Sequence, residues 1–117
     1  MDGDKIQDCI FCRMVSGKIP FKKVYEDDTF LAFRDINPQA PVHILIIPRK
    51  HISGLSATED NVLLGSMLTL ASSIAEKENI ATSGYRIVIN TNRDAGQTVS
   101  HLHLHLMGGR IMNWPPG

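Results

Sequence analysis

Three histidines in one stretch of the sequence carry the chemistry. Within Thr98-Val-Ser-His-Leu-His-Leu-His-Leu-Met-Gly108, His101, His103 and His105 alternate without a break with Leu102, Leu104 and Leu106. A period of two predicts a strand with leucines on one face and imidazoles on the other. Same-face neighbours on a strand lie about 7 Å apart, so two or three rings can converge on one small group. Imidazole titrates near about 6.5 and serves for proton transfer, nucleophilic attack or metal binding. Three of the chain's five histidines stand in this one register. The stretch therefore marks the site.

The other groups with chemical potential are few. His43 interrupts an otherwise apolar run, Val42-His-Ile-Leu-Ile-Ile47, where it is either a hydrogen-bonded core residue or directed into the site. His51 follows in the loop Pro48-Arg-Lys-His51. Cys9 and Cys12 form a Cys-x-x-Cys pair at i, i+3, on one face of a short helix. Metal ligation and two small buried thiols are both open for that pair; a structural disulfide fits least without a secretory leader. Asp35 opens a proline-containing turn that runs to Pro41. Gly96 fits either backbone amides meeting a phosphate or a simple tight turn. Neither a carboxylate pair nor a Gly-rich Walker loop competes with the histidines.

These groups need a small scaffold. The chain has 117 residues, enough for one domain with a single modest core. Twelve basic and twelve acidic residues cancel, which disfavours general binding of nucleic acid or a charged membrane surface. The apolar runs are too short for a membrane span and the first residues do not read as a signal peptide, so a cytoplasmic protein is expected. Residues 1–7 read as a flexible N-terminus and 110–117 as an extended, proline-rich tail. A helix is expected over Cys9–Ser16, with Asp8 as cap and Gly17 ending it. Strands are expected over Phe21–Glu26, Thr29–Arg34, Val42–Ile47 and Tyr85–Asn90, besides the histidine strand. Ser56-Ala-Thr-Glu59 has a capping-box pattern. It precedes a helix of about twenty residues with an apolar stripe of Leu64, Met67, Leu68, Ala71, Ile74 and Ala75. The class is α+β: a five-stranded antiparallel sheet, one long helix and one short N-terminal helix.

His101-Leu-His-Leu-His105-Leu-Met resembles the His-x-His-x-His-x-x signature of the histidine triad (HIT) superfamily. The likeness extends over Phe33-Arg-Asp-Ile-Asn-Pro-Gln-Ala-Pro-Val-His43, Ile47-Pro-Arg-Lys-His-Ile52, Gly96-Gln97 and Gly108-Gly-Arg-Ile-Met-Asn-Trp-Pro-Pro-Gly117. The Trp-Pro-Pro-Gly ending resembles the branch of histidine triad nucleotide-binding (HINT) proteins. The resemblance implies a homodimer with two sheets joined into ten strands. It also implies hydrolysis of purine nucleoside 5′-phosphoramidates, including adenosine phosphoramidate, nucleotidylated lysine and aminoacyl adenylates. His103 would be the nucleophile, with His43, His101 and His105 as its partners and His43 orienting its ring. Asp35, with Ile36 adjoining, would hold the ribose. Ile10, Phe11, Met14, Phe33, Ile36 and Leu45 would sandwich the base, and Asn90, Gly96, Gln97 and Thr98 would meet the phosphate. Trp114 of the partner subunit would border the leaving group. Many relatives carry serine where this chain has Thr98; the hydroxyl survives, and the added methyl could alter leaving-group preference.

Some of these relatives bind a structural zinc, which here would fall to Cys9, Cys12, His51 and His101; the chemistry itself needs no cofactor. Two rivals stand beside this reading. In one, a zinc ion on His101, His103 and His105 activates water. In the other, the chain is a nucleotide-binding regulatory or scaffold protein with incidental turnover.

Overall fold

The computed structural model describes residues 8–117; the expected flexible stretch 1–7 lies outside them. A short helix, α1 (Ile10–Val15), leads into a hairpin of β1 (Lys23–Glu26) and β2 (Phe30–Arg34), then β3 (Val42–Pro48). A long helix, α2 (Asn61–Lys77), follows, then β4 (Tyr85–Val88), a single helical turn α3 (Asn92–Ala95) and β5 (Leu104–Gly108). The sheet order is β1-β2-β3-β5-β4 and every neighbouring pair is antiparallel. The expected five-stranded α+β class is thus the observed one. β5 slots between β3 and β4, which makes those two parallel and gives α2 the crossover that such strands require.

Alternation sorts the residues onto two faces. Ile44 and Ile46 of β3 and Leu104 and Leu106 of β5 pack with Met67, Ala71, Ile74 and Ala75 of α2. Leu45 and Ile47 face the other way and pack with Leu31, Phe33 and Phe11 of α1. The register pairs Leu45 with His105 and His43 with Met107, so both imidazoles stand on the α1 face. At the end of β5, a side chain on Gly108 would meet Ile80 at 2.7 Å, which only glycine avoids.

Several local expectations are corrected. The ladder of β5 begins at Leu104, so His101 and His103 lie just outside it, although Leu102, Leu104 and Leu106 still alternate inward. Cys9, not Asp8, caps α1: its Sγ accepts the N–H of Cys12 at 3.4 Å. The cap of α2 is Asp60, whose Oδ1 accepts the Leu63 N–H at 2.9 Å, while Ser56 falls within a separate 3-10 turn at Leu55–Ala57. Leu68 is 48% exposed and does not belong to the buried stripe. β4 stops at Val88, two residues short of the expected end.

Candidate active site

The imidazoles fall into two groups with a shared backbone. His103 is buried, and its Nδ1–H donates to the carbonyl of His101 at 2.7 Å. That bond places the proton on Nδ1 and leaves Nε2 with a lone pair, the form a nucleophile requires. The rings of His103 and His105 lie 5.1 Å apart, edge to face.

The tautomers of the next two rings follow from one chain of hydrogen bonds. The backbone N–H of Gln39 donates to Nδ1 of His43 at 3.0 Å. The proton of His43 is therefore on Nε2, which donates to Nδ1 of His105 at 3.0 Å. The proton of neutral His105 then sits on its own Nε2. Asp35 Oδ2 lies 3.4 Å from the same His43 Nε2, and Asp35 Oδ1 accepts the Asn37 N–H at 2.8 Å. Burial lowers the pKa of His43, partly offset by the Asp35 carboxylate. Burial lowers His105 to about 4, reinforced by His103 and His43. His43 thus bonds His105 and not His103, whose ring the carbonyl of His101 orients.

The ring of His101 turns away from this pair. Its Nε2–H donates to the Pro48 carbonyl at 2.8 Å, and Nδ1 lies 3.3 Å from Cys9 Sγ and 3.6 Å from Cys12 Sγ. Cys12 Sγ is 3.2 Å from His51 Nδ1. All four donor atoms lie within 4.8 Å of one another, and burial lowers the pKa of His101 to about 4. The set fits zinc on chemical grounds. Zn–S and Zn–N bonds of about 2.3 and 2.0 Å make a tetrahedron with S···N edges of about 3.5 Å. The outward N–H of His101 on a carbonyl is the support a metal-ligating imidazole requires. The other rival arrangement is not met. Among the described residues, His101 groups with the cysteines and His105 with Asp35 and His43, while His103 joins neither. A cation on His43 Nε2 would also have to displace the proton that the Gln39 N–H fixes there.

Phe11 packs edge-on against His101, His103 and Phe33, at 5.7, 5.3 and 5.5 Å. Phe33 and Leu45 are buried in the same cluster and Met14 packs on it, whereas Ile10 is 40% and Ile36 96% exposed. A cavity of about 640 Å³ opens beside them, lined by Phe21, Lys22, Asp35, Ile36 and His43 among others. At the other end of the site Gly96 closes α3 with φ +84°, a left-handed turn that already accounts for glycine. Asn90 is half-buried and Thr98 exposed. Gln97 is bonded to backbone throughout: Nε2 donates to Ser53 O at 2.8 Å and Val99 O at 3.0 Å, and Oε1 accepts the Asn92 N–H at 2.8 Å. Trp114 is 81% exposed in a tail held by Arg86, whose Nη2 donates to Asn113 O at 3.0 Å. Sequence reasoning missed the Gln39 amide and the Pro48 and Ser53 carbonyls, because backbone groups carry no residue signature.

An imidazole with a free Nε2 thus stands beside a proton-carrying imidazole on an α+β sheet of order β1-β2-β3-β5-β4. The HIT domain family matches residues 16–112, and the chain belongs to that family. It is 50% identical to the purine nucleoside phosphoramidase of Escherichia coli (strain K12) over 106 residues, 89% of each chain. It is 52% identical to an uncharacterized HIT-like protein of Synechococcus elongatus, over 95% of this chain and 98% of the other. The fold superposes on the HIT family hydrolase of Legionella pneumophila Philadelphia 1 with a TM-score of 0.91 at 50% identity, over 93% and 99% of the two chains. Among the described residues no helix is long and apolar enough to cross a membrane.

Proposed function

We propose that this hydrolase cleaves the P–N bond of purine nucleoside 5′-phosphoramidates through a nucleotidyl adduct on His103. The observation that carries the reading is the Nδ1–H bond from His103 to the His101 carbonyl, which leaves Nε2 basic. Nε2 attacks the α-phosphorus as the P–N bond breaks, and the departing nitrogen needs a proton to leave. His105 Nε2 is the donor position. A phosphate beside that ring favours its protonated form; the second proton is taken on Nδ1 as the His43 Nε2–H turns to Asp35 Oδ2, 3.4 Å away. Water then cleaves the N–P bond of the adduct, releases the nucleoside monophosphate and returns the proton. Adenosine phosphoramidate, nucleotidylated lysine and aminoacyl adenylates share the required α-phosphorus.

In this reading Asp35 holds the ribose hydroxyls and Phe11, Met14, Phe33 and Leu45 form the floor of the base site, with Ile10 and Ile36 at its edges. Asn90, Gly96 and Thr98 meet the phosphate. The protein works as a homodimer through the open edge of β4, and Trp114 of the partner subunit borders the leaving group. Cys9, Cys12, His51 and His101 hold a structural zinc that fastens α1 beneath the nucleophile; a closed four-ligand set leaves it no part in the reaction. A cysteine pair used as metal ligands suits the reducing cytoplasm.

The test is turnover of adenosine 5′-phosphoramidate against a dinucleoside polyphosphate, with protein quenched during turnover and examined by mass spectrometry. Preferred cleavage of the phosphoramidate and an adduct on His103 are expected. Preference for the polyphosphate, or a metal requirement without an adduct, would overturn the reading.

A further inference from the structure

We propose that Gln97 is a positioning residue for the nucleophile and not a ligand of the phosphate, an inference that rests on His103 being the nucleophile. A phosphate accepts hydrogen bonds, so the side chain could offer it only the two hydrogens of Nε2. Both are already given to backbone, one to Ser53 O at 2.8 Å and one to Val99 O at 3.0 Å. Oε1 accepts the Asn92 N–H, and the Gln97 backbone N–H donates to Asn92 O at 3.1 Å. Binding a phosphate would leave a backbone carbonyl without its donor, at a cost comparable to the bond gained.

The same bonds explain how two histidines outside the ladder are held. β5 begins only at Leu104, and the preceding segment is fastened to the end of β3 and the stretch after it at three points. The Leu102 N–H donates to Ile52 O at 2.6 Å, His101 Nε2 to Pro48 O at 2.8 Å, and Gln97 Nε2 to Ser53 O. Gln97 closes the far end of this lacing and, through Val99 O, sets the path of the chain into His101. The His101 carbonyl is the group that orients His103. Releasing Gln97 lets that carbonyl drift and turns the ring from its attacking direction. A misplacement of about 1 Å in such a site costs about 100-fold in rate.

The experiment compares wild type with Gln97→Glu, which keeps the size and the acceptor but replaces the amide donor, and with Gln97→Ala. Three quantities are read: kcat and KM for adenosine 5′-phosphoramidate, the Kd of adenosine 5′-monophosphate, and exchange of the His103 Nδ1–H proton by NMR in the free protein. Expected are a kcat lower by about 100-fold, a KM and Kd within a few-fold of wild type, and faster exchange at His103. A Kd at least tenfold weaker (roughly 1.4 kcal/mol) with His103 unmoved would make Gln97 a phosphate ligand. Lowered thermal stability with neither change would make it a scaffold residue only. Either result overturns the proposal. Faster exchange at His103 without loss of kcat would instead overturn the nucleophile assignment. Should neither variant fold, wild type decides: the Gln97 side-chain NH2 resonances should stay in place as adenosine 5′-monophosphate saturates the site, and a shift would refute positioning.

Discussion

His103 is oriented by the main chain of His101, its neighbour two residues back, through a 2.7 Å bond from Nδ1–H to the carbonyl. The ring of that same His101 faces the two cysteines. One residue therefore serves two neighbourhoods: its carbonyl fixes the ring of His103, and its imidazole joins Cys9, Cys12 and His51. A pure strand would have presented all three rings to a common point. The segment's departure from the ladder is what separates their tasks.

Replacing His103 with Asn or Ala removes the ring whose Nε2 is left free beside His105. Turnover of adenosine 5′-phosphoramidate should fall by several orders of magnitude, with nucleotide affinity near normal, because binding and charge stabilisation survive. Steady-state kinetics and equilibrium binding check both halves. Turnover like wild type would refute the assignment.

His105 should matter in proportion to the basicity of the leaving group. Its Nε2 proton is fixed through His43 and Gln39, so His105→Gln removes the donor and leaves the nucleophile in place. Poor alkylamine leaving groups should slow by at least 100-fold and good ones by about tenfold or less. A series of phosphoramidates with graded amine pKa values measures the slope; equal losses across the series would contradict the role.

Much of this was legible in the sequence, for stated reasons. Binary alternation gave the faces of β3 and β5, and His43 interrupting an apolar strand did prove to face the site beside His105. The Cys-x-x-Cys spacing put two thiols on one turn, and the resemblance brought His51 and His101 to them. What failed was local and competitive. Ser56 and Asp60 both offer cap chemistry, and only tertiary packing chooses Asp60. Leu68 satisfies helical periodicity but stands exposed at the edge of the α2 stripe. Gln97 stands apart from these: the resemblance implies a phosphate contact there, and neither periodicity nor spacing speaks to its side chain. Its three backbone bonds depend on segments remote in sequence.

The cysteine cluster should bind one zinc per chain. Cys12→Ser should lose the metal, and chelation should lower the thermal midpoint by several degrees before the chemical step changes in single-turnover experiments. Metal analysis of protein purified without chelator checks the stoichiometry. Protein free of metal and equally stable with and without added zinc would dismiss the site.

Dimerisation and the tail can be tested together. Sedimentation at micromolar concentration should give a dimer, and removal of residues 114–117 should change the preference among leaving groups more than affinity for adenosine 5′-monophosphate. A monomer, or a truncated protein with unaltered preference, would count against a tail that reaches the second subunit's site.

Stability should fall as the solution is acidified from about pH 6.5 to about pH 4. Burial lowers both His101 and His105 to about 4, against about 6.5 for a free imidazole. Above 6.5 neither state holds the extra proton, and these groups contribute nothing to the slope. Between 6.5 and 4 the unfolded chain takes up protons that the folded protein refuses, so unfolding is favoured progressively. Below 4 both states are protonated and the loss is complete. Each ring contributes roughly 1–3 kcal/mol across the window. Urea unfolding at pH 7.5, 6.0 and 4.5, with chelator present so that metal release does not add to the slope, measures the sum. His105→Asn should flatten the dependence, since it removes one of the lowered rings and leaves His101 against Pro48 and His43 against the Gln39 amide. A variant with the full slope would show that His105 is not held neutral in the folded protein.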